Sequence, residues 1–243
     1  MYYFGIYHWR RRGRAIALGT LSVVLGGLLA VRPGRSLRRL AGLGAACWGA
    51  RSGGRALRRL AGSPPWHVET AKYEALAALL PLDDADAVLD VGCGTGRSLV
   101  GLAGALSAGT TLLGLDVFDD RVILGNGPAL ARRNARLAGV DPALLRGDAA
   151  RLPVVDGGVD VVTACRVLHD LPREAARRAV REAHRACSPG GTLGVLELPL
   201  PHDADADPAT YWRDLVREAG FTVDHCEERT VDGREYVLVV GRA

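Results

Sequence analysis

From residue 66 onward, short apolar runs alternate with stretches whose apolar positions recur at helical spacing. Trp66 to Leu80 sets Val68, Ala71, Leu76, Leu79 and Leu80 on one helical stripe, and Pro81 stops it. Ala87–Val91, Thr111–Leu115, Ala143–Arg146, Val159–Ala164 and Thr192–Leu198 read as strands. Gly96–Leu106, Pro128–Ala138, Arg173–Ala186 and Ala209–Ala219 read as the helices between and after them, the last closed by Gly220. Phe221–Glu227 and Glu235–Val240 are two further strands, and Asp232-Gly233 between them signals a hairpin. The run at Val159–Ala164 is almost wholly apolar, as a central parallel strand requires. This alternation predicts an α/β fold, a Rossmann-like doubly wound sheet that is mostly parallel.

The first 62 residues follow another pattern. Met1 to Trp9 is rich in aromatic residues, a composition that favours the membrane–water interface. Ala15 to Val31 then runs without a charge. As a helix it would be about 26 Å long, close to the ~30 Å core of a bilayer. A retained transmembrane helix over 15–31 is the expectation; a cleaved leader is the alternative, disfavoured by the length of the run. Residues 34–42 (GRSLRRLAG) recur at 54–62 (GRALRRLAG) with one difference, and 34–62 read as a basic amphipathic helix on an anionic membrane face, or as a solvated basic linker. Ser63-Pro64-Pro65 is a stiff break, so the expected division is a basic membrane-anchor region, 1–62, and a catalytic domain, 63–243.

Charge sharpens that division. Residues 1–62 hold twelve arginines and no lysine, aspartate or glutamate, whereas the rest of the chain has a net charge of −8. The overall +4 therefore does not describe the domain, and no nucleic-acid partner is expected for it. Four arginines precede the apolar run and eight follow it, a bias that places the catalytic domain on the cytoplasmic side of a single span. The five cysteines are dispersed without a Cys-x-x-Cys pair, which argues against a zinc site or a disulfide framework, and no metal is expected.

The chemistry centres on Asp90-Val-Gly92-Cys93-Gly94-Thr-Gly96, between a strand and a helix. A glycine-rich turn of this kind brings backbone N–H groups close to a ligand. A dinucleotide fingerprint needs a third glycine where Arg97 stands. Twenty residues after Gly96, Asp116 closes the second strand, where a carboxylate can accept both hydroxyls of a ribose. With Asp90 two positions before the first glycine, the motif resembles the first motif of class I S-adenosylmethionine (SAM)-dependent methyltransferases.

That resemblance covers residues 66–243 and implies a seven-stranded sheet with an antiparallel last strand, and SAM as cofactor. It implies cofactor contacts from Asp90, Gly92, Cys93, Gly94 and Gly96, from Asp116 on the ribose, and from Val117 on the adenine face. Gly147-Asp148-Ala149 resembles the family's adenine-binding step, with the Asp148 side chain and the Ala149 backbone reading the base. After the fourth strand, Arg166 is a candidate for the cofactor pocket, and His169 or Asp170 for the substrate side. His169 is the candidate general base, because an imidazole accepts a proton near neutral pH; a structural role for His169 and an N-cap role for Asp170 are the alternatives. The long connection 118–127 and the loop 199–207 are candidates for a substrate entrance and a lid.

The expected function is SAM-dependent methyl transfer to a small-molecule or lipid-like acceptor near a membrane. No Asn-Pro-Pro-Tyr or Pro-Cys follows the fourth strand, which disfavours methylation of DNA bases. A membrane-anchored SAM-binding protein without turnover, an NAD-dependent oxidoreductase and a basic membrane adaptor remain as alternatives.

Overall fold

A computed structural model describes residues 1–32, 36–62 and 64–243. The chain divides into two compact units. One comprises Met1–Phe4, Val68–Phe118 and Asn126–Ala243, and the other Gly5–His67 with Asp119–Gly125.

The larger unit is built on seven strands: β1 (Ala87–Val91), β2 (Thr111–Asp116), β3 (Ala143–Arg146), β4 (Val159–Cys165), β5 (Cys187–Glu197), β6 (Thr222–Val231) and β7 (Arg234–Arg242). Their order is β3-β2-β1-β4-β5-β7-β6. The first five are parallel, and β7 runs antiparallel to both β5 and β6. This is the expected sheet, including its antiparallel last strand. The order reverses between β1 and β4, so a crevice opens at the carboxyl ends of those two strands, where such sheets bind ligands. The β6–β7 turn has Asp232 and Gly233 both at positive φ (51° and 73°), as a two-residue hairpin requires.

Helices cover both faces: α3 (Ala71–Ala77), α4 (Arg97–Leu102), α5 (Pro128–Leu137), α6 (Arg173–Ala186) and α7 (Pro208–Glu218). One apolar cluster packs Val162, Val180, Ala183 and Trp212 together; the other packs Tyr73, Leu76, Leu99, Leu102 and Leu238. Three elements depart from expectation. The helix expected over 66–80 is only Ala71–Ala77, and the Pro64 carbonyl accepts from the His67 N–H in a turn ahead of it. The helix after the glycine turn tightens into a 3-10 turn at Ala103–Ala105. Ser188-Pro-Gly-Gly191, expected as a turn, lies inside β5, where a register shift absorbs it.

The smaller unit holds two long helices, α1 (Trp9–Val31) and α2 (Ser36–Ala61). They pack antiparallel through glycine. A Cβ on Gly19 would lie 2.8 Å from the Gly49 carbonyl oxygen, and one on Gly26 2.5 Å from that of Gly42. Only residues without side chains let two helix backbones come so close. The second basic repeat is thus part of one continuous helix packed along α1. Gly34 and Arg35 of the first repeat, and Ser63 of the expected boundary, lie outside the described residues.

Candidate active site

The glycine turn, Asp116 and the segment after β4 meet at the carboxyl edge of the sheet. The Gly92 and Cys93 N–H groups both donate to the Leu115 carbonyl (2.7 and 3.1 Å), which ties the turn to the end of β2. A Cβ on Gly92 would lie 2.5 Å from Val167 Cγ2, so only glycine lets the turn pass against the segment following β4. Gly94 has φ +53°, and the nearest atoms to a Cβ there are 3.9 Å away, one of them Asp116 Oδ2. Space and a positive φ together form a cradle at Gly94, open toward Asp116.

Asp116 is held by three donors. Gly94 N–H reaches Oδ2 (3.0 Å), and Phe118 N–H and Asn126 Nδ2 reach Oδ1 (2.6 and 3.3 Å). Val117 beside it is 55% exposed, a free apolar surface at the strand end. Asn126 turns its side chain to Asp116, and Gly127 takes the N-cap position of α5. Its buried Oδ1 has no protein partner, and neither does the buried Nε of Arg166. An orphaned polar atom beside the acidic strand end, a second one on the residue that follows β4, and the open cradle at Gly94 fit a polar nucleoside ligand.

Asp90 is wholly buried and does not open toward the cradle. Its carboxylate accepts from Ser98 Oγ and from Thr163 Oγ1 (2.8 Å), joining α4 to β4. Burial raises its pKa to about 7 against the opposing pull of those two hydroxyls, and the Asp116 charge adds to the rise. Cys93 is buried, and burial pushes its thiol well above the ordinary range, so it remains a neutral thiol. Asp148 is exposed and its Oδ1 accepts from the Ala150 N–H (2.9 Å), while Ala149 is buried just beyond β3.

Arg166 follows β4 with φ +59°, its N–H bonded to the Leu196 carbonyl (2.7 Å). His169 sits in a 3-10 turn, Leu168–Asp170, with Nδ1 2.6 Å from Glu197 Oε2 and Nε2 3.6 Å from Asp170 Oδ1. Glu197 is fully buried at the end of β5. Its Oε1 accepts from the Val167 and Leu168 N–H groups (2.8 and 2.6 Å), and Oε2 also accepts from Leu198 (3.1 Å). Burial by itself would lower the His169 pKa, but the hydrogen bond and charge of Glu197 outweigh it and hold the ring above its ordinary value. A carboxylate on Nδ1 fixes the proton there and leaves Nε2 as the nitrogen that can take one up.

The sequence reading missed Glu197, Asn126 and the buried Asn134. Asn134 Nδ2 donates to the Tyr3 and Thr95 carbonyls (2.7 and 2.9 Å), and its Oδ1 accepts from the Tyr3 N–H (3.2 Å). Thr95 Oγ1 donates to the Phe4 carbonyl (3.2 Å), and Arg97 stacks 4.4 Å from the Phe4 ring, which is 1% exposed. Tyr3 and Phe4, expected at a membrane interface, are instead part of the glycine-turn environment. A polar residue on the inner stripe of α5 was the one local signal of this, since a buried asparagine needs partners.

Residues 88–191 match a family model described as a methyltransferase domain. Over 156 residues the chain is 33% identical to 27-O-demethylrifamycin SV methyltransferase of Amycolatopsis mediterranei (strain S699), covering 62% of this chain and 52% of that one. It is 33% identical over 125 residues to demethylmenaquinone methyltransferase of Lactiplantibacillus plantarum, covering 51% of this chain and 50% of that one. The chain thus spans about half the length of these two relatives. Magnesium protoporphyrin IX methyltransferase of Synechocystis PCC 6803, solved with bound SAM, shares the fold with a TM-score of 0.54 at 18% identity, over 71% of this chain and 78% of that one. The [4+2]-cyclase SpnF shares it with a TM-score of 0.57 at 22% identity, over 71% of this chain and 80% of that one. By the family match residues 88–191 form a methyltransferase domain, and the sheet order and the glycine turn agree with the resemblance to class I SAM-dependent methyltransferases. The presence of a cyclase among its structural neighbours shows that the fold alone does not fix the reaction.

Proposed function

We propose that this protein transfers the methyl group of SAM to a small-molecule or lipid-like acceptor, held at a membrane by its N-terminal helices with the catalytic domain facing the cytoplasm. The observation that carries the reading is Asp116, held at the carboxyl end of β2, one strand from the switch point, by the Gly94 N–H and flanked by the unpartnered Asn126 Oδ1. Asp116 would receive the ribose hydroxyls, Val117 the adenine face, Asp148 and Ala149 the base edge, and Arg166 the polar end of the cofactor. SAM supplies an electrophilic methyl on a sulfonium. The protein's part is to orient the acceptor, exclude water and keep the nucleophile ready. His169 Nε2 would take the acceptor's proton, and Glu197 would hold the ring that does so. The two relatives named above act, by their names, on a rifamycin and on demethylmenaquinone, which supports a small organic acceptor.

An NAD site is disfavoured by Arg97. Its side chain, stacked on Phe4, occupies the position a dinucleotide motif leaves to a third glycine. Calorimetric titration of the full chain in detergent with SAM, S-adenosylhomocysteine and NAD tests the reading. Binding of the first two is expected, weakened roughly 10- to 100-fold by Asp116→Ala, the loss of one to two charge-assisted hydrogen bonds. Binding of NAD alone would sink it.

A further inference from the structure

The topology of α1 and α2 rests on the membrane reading above but goes beyond it. Met1–Phe4 belongs to the catalytic unit through the Asn134, Thr95 and Arg97 contacts, and the chain returns to that unit at Val68. A folded unit lies on one side of a bilayer. A chain that leaves it at Gly5 and returns at Val68 therefore crosses the bilayer an even number of times. The loop 119–125 points the same way. The residues that flank it, Phe118 and Asn126, belong to the catalytic unit, yet Ile123 bridges to Tyr7, the His8 N–H bonds to the Val122 carbonyl (2.7 Å), and the Leu124 N–H bonds to that of Ile6 (3.1 Å). The start of α1 is thus held by a loop too short to reach across a membrane.

Two crossings fit the helix surfaces better than none. A hairpin lying flat on lipid needs one apolar face and one polar face. Here exposed apolar side chains lie on more than one face: Leu18, Val23, Val24 and Leu28 on α1, and Leu43, Trp48 and Leu57 on α2. Only the glycine seam faces inward. A helix apolar on more than one face fits hydrocarbon better than a flat lipid surface. With Gly19 against Gly49 and Gly26 against Gly42, residues 18–28 lie beside 40–50, and neither stretch contains a charge. That shared band is about 16 Å long at 1.5 Å per residue. Arginines edge it at both rims, and their stems can reach outward to extend it toward the ~30 Å core, with local thinning taking up the rest.

We propose that α1 and α2 cross the bilayer together as an antiparallel glycine-seamed hairpin, with residues 5–8 and 64–67 on the same side of the membrane. The occupant of the exposed apolar surface is lipid, and the arginine rims match anionic headgroups. Arg10, Arg11, Arg12, Arg14, Arg51, Arg55, Arg58 and Arg59 gather at the open end of the hairpin, against Arg32, Arg38 and Arg39 at the joined end. The positive-inside rule then sets the open end in the cytoplasm. The single-span expectation had put residues 1–14 on the opposite side.

Variants of the full chain with one added cysteine, in a Cys47→Ala/Cys226→Ala background that keeps only the buried Cys93, Cys165 and Cys187, test this in bacterial spheroplasts and inverted inner-membrane vesicles with a membrane-impermeant maleimide. Gly13→Cys, Gly54→Cys and Gly109→Cys add side chains where nothing lies within 4 Å, so the fold is undisturbed. All three are expected to label in inverted vesicles and to be protected in spheroplasts, with Arg32→Cys showing the reverse. Labelling of Gly13→Cys from the side opposite Gly109→Cys would mean a single crossing and overturn the proposal. Labelling of Arg32→Cys from the same side as Gly109→Cys would mean a surface-lying hairpin and also overturn it. Release of the wild-type chain from membranes by alkaline carbonate would instead remove the anchoring reading itself.

Discussion

The buried carboxylate of Glu197 collects three backbone N–H groups and one imidazole, so it positions the turn after β4 as well as the ring of His169. Its effect on His169 has a definite sign. The raised pKa means that the ring is protonated, and useless as a base, over a wider range on the acid side. Activity should therefore rise with pH through that raised value. Glu197→Gln removes the charge and leaves burial to pull the ring pKa down. The acid limb of the kcat profile should move to lower pH, while kcat falls roughly 10- to 100-fold as the ring loses its orientation. An unmoved limb would show that His169 is not the titrating base. Asp90 carries the opposite kind of prediction, one of stability. A folded-state pKa of about 7 exceeds the ordinary value of 3.8, so the folded domain binds this proton more tightly than the unfolded chain does. Stability from this group is full below pH 3.8 and is lost as pH rises toward 7 and beyond, by at most about 4 kcal/mol for a shift of this size. Asp90→Asn should flatten that decline in chemical denaturation of the cofactor-free protein between pH 5 and 8. A decline as steep as in the wild type would place its origin elsewhere.

At the level of elements, what the sequence revealed was whatever depends on neighbours along the chain. The glycine turn, Asp116 at the end of β2, and the Asp232-Gly233 hairpin are all local signals, and the structure has each in its expected place in the fold. α6 was legible to the residue because its buried stripe of Ala176, Ala179, Val180 and Ala183 repeats at helical spacing. What stayed hidden was pairing across the chain. Nothing near Glu197 announces a partner 28 residues earlier, and nothing near Asn134 announces Tyr3, 131 residues away. The packing of α3 on α4 was hidden for the same reason. A Cβ on Gly101 would lie 2.5 Å from the Tyr73 ring, so an unremarked glycine in α4 is what admits that aromatic side chain. Gly101→Ala should destabilise the catalytic unit by about 1–3 kcal/mol through overpacking, visible as a lower thermal midpoint. A midpoint equal to the wild type's would show that α3 shifts freely.

At the scale of the whole molecule, the separation of charge was plain in the sequence: twelve arginines in residues 1–62, and a net negative remainder. The apolar run was plain too. Among the described residues, Trp9–Val31 is the one helix long and apolar enough to cross a membrane by its own composition, with a mean hydropathy of 1.9 over an 18-residue stretch; α2 has only the charge-free stretch 40–50 and crosses, in the proposed hairpin, as its partner. The return of the chain along that helix was not plain, because a glycine seam in α2 reads as a weak helix until its partner is known. The attachment of Met1–Phe4 to Asn134 has a last consequence, one of timing. As the ribosome makes the chain, residues 1–4 and both N-terminal helices emerge long before residue 134 exists. On the proposed topology the hairpin meets the insertion machinery while the segment 1–4 ahead of it still lacks a partner. Biosynthesis then closes the molecule in reverse order, with Tyr3 and Phe4 waiting for the domain behind them. A slow codon or a lengthened linker after residue 62 would prolong that wait and leave the glycine turn without its lining in the nascent protein.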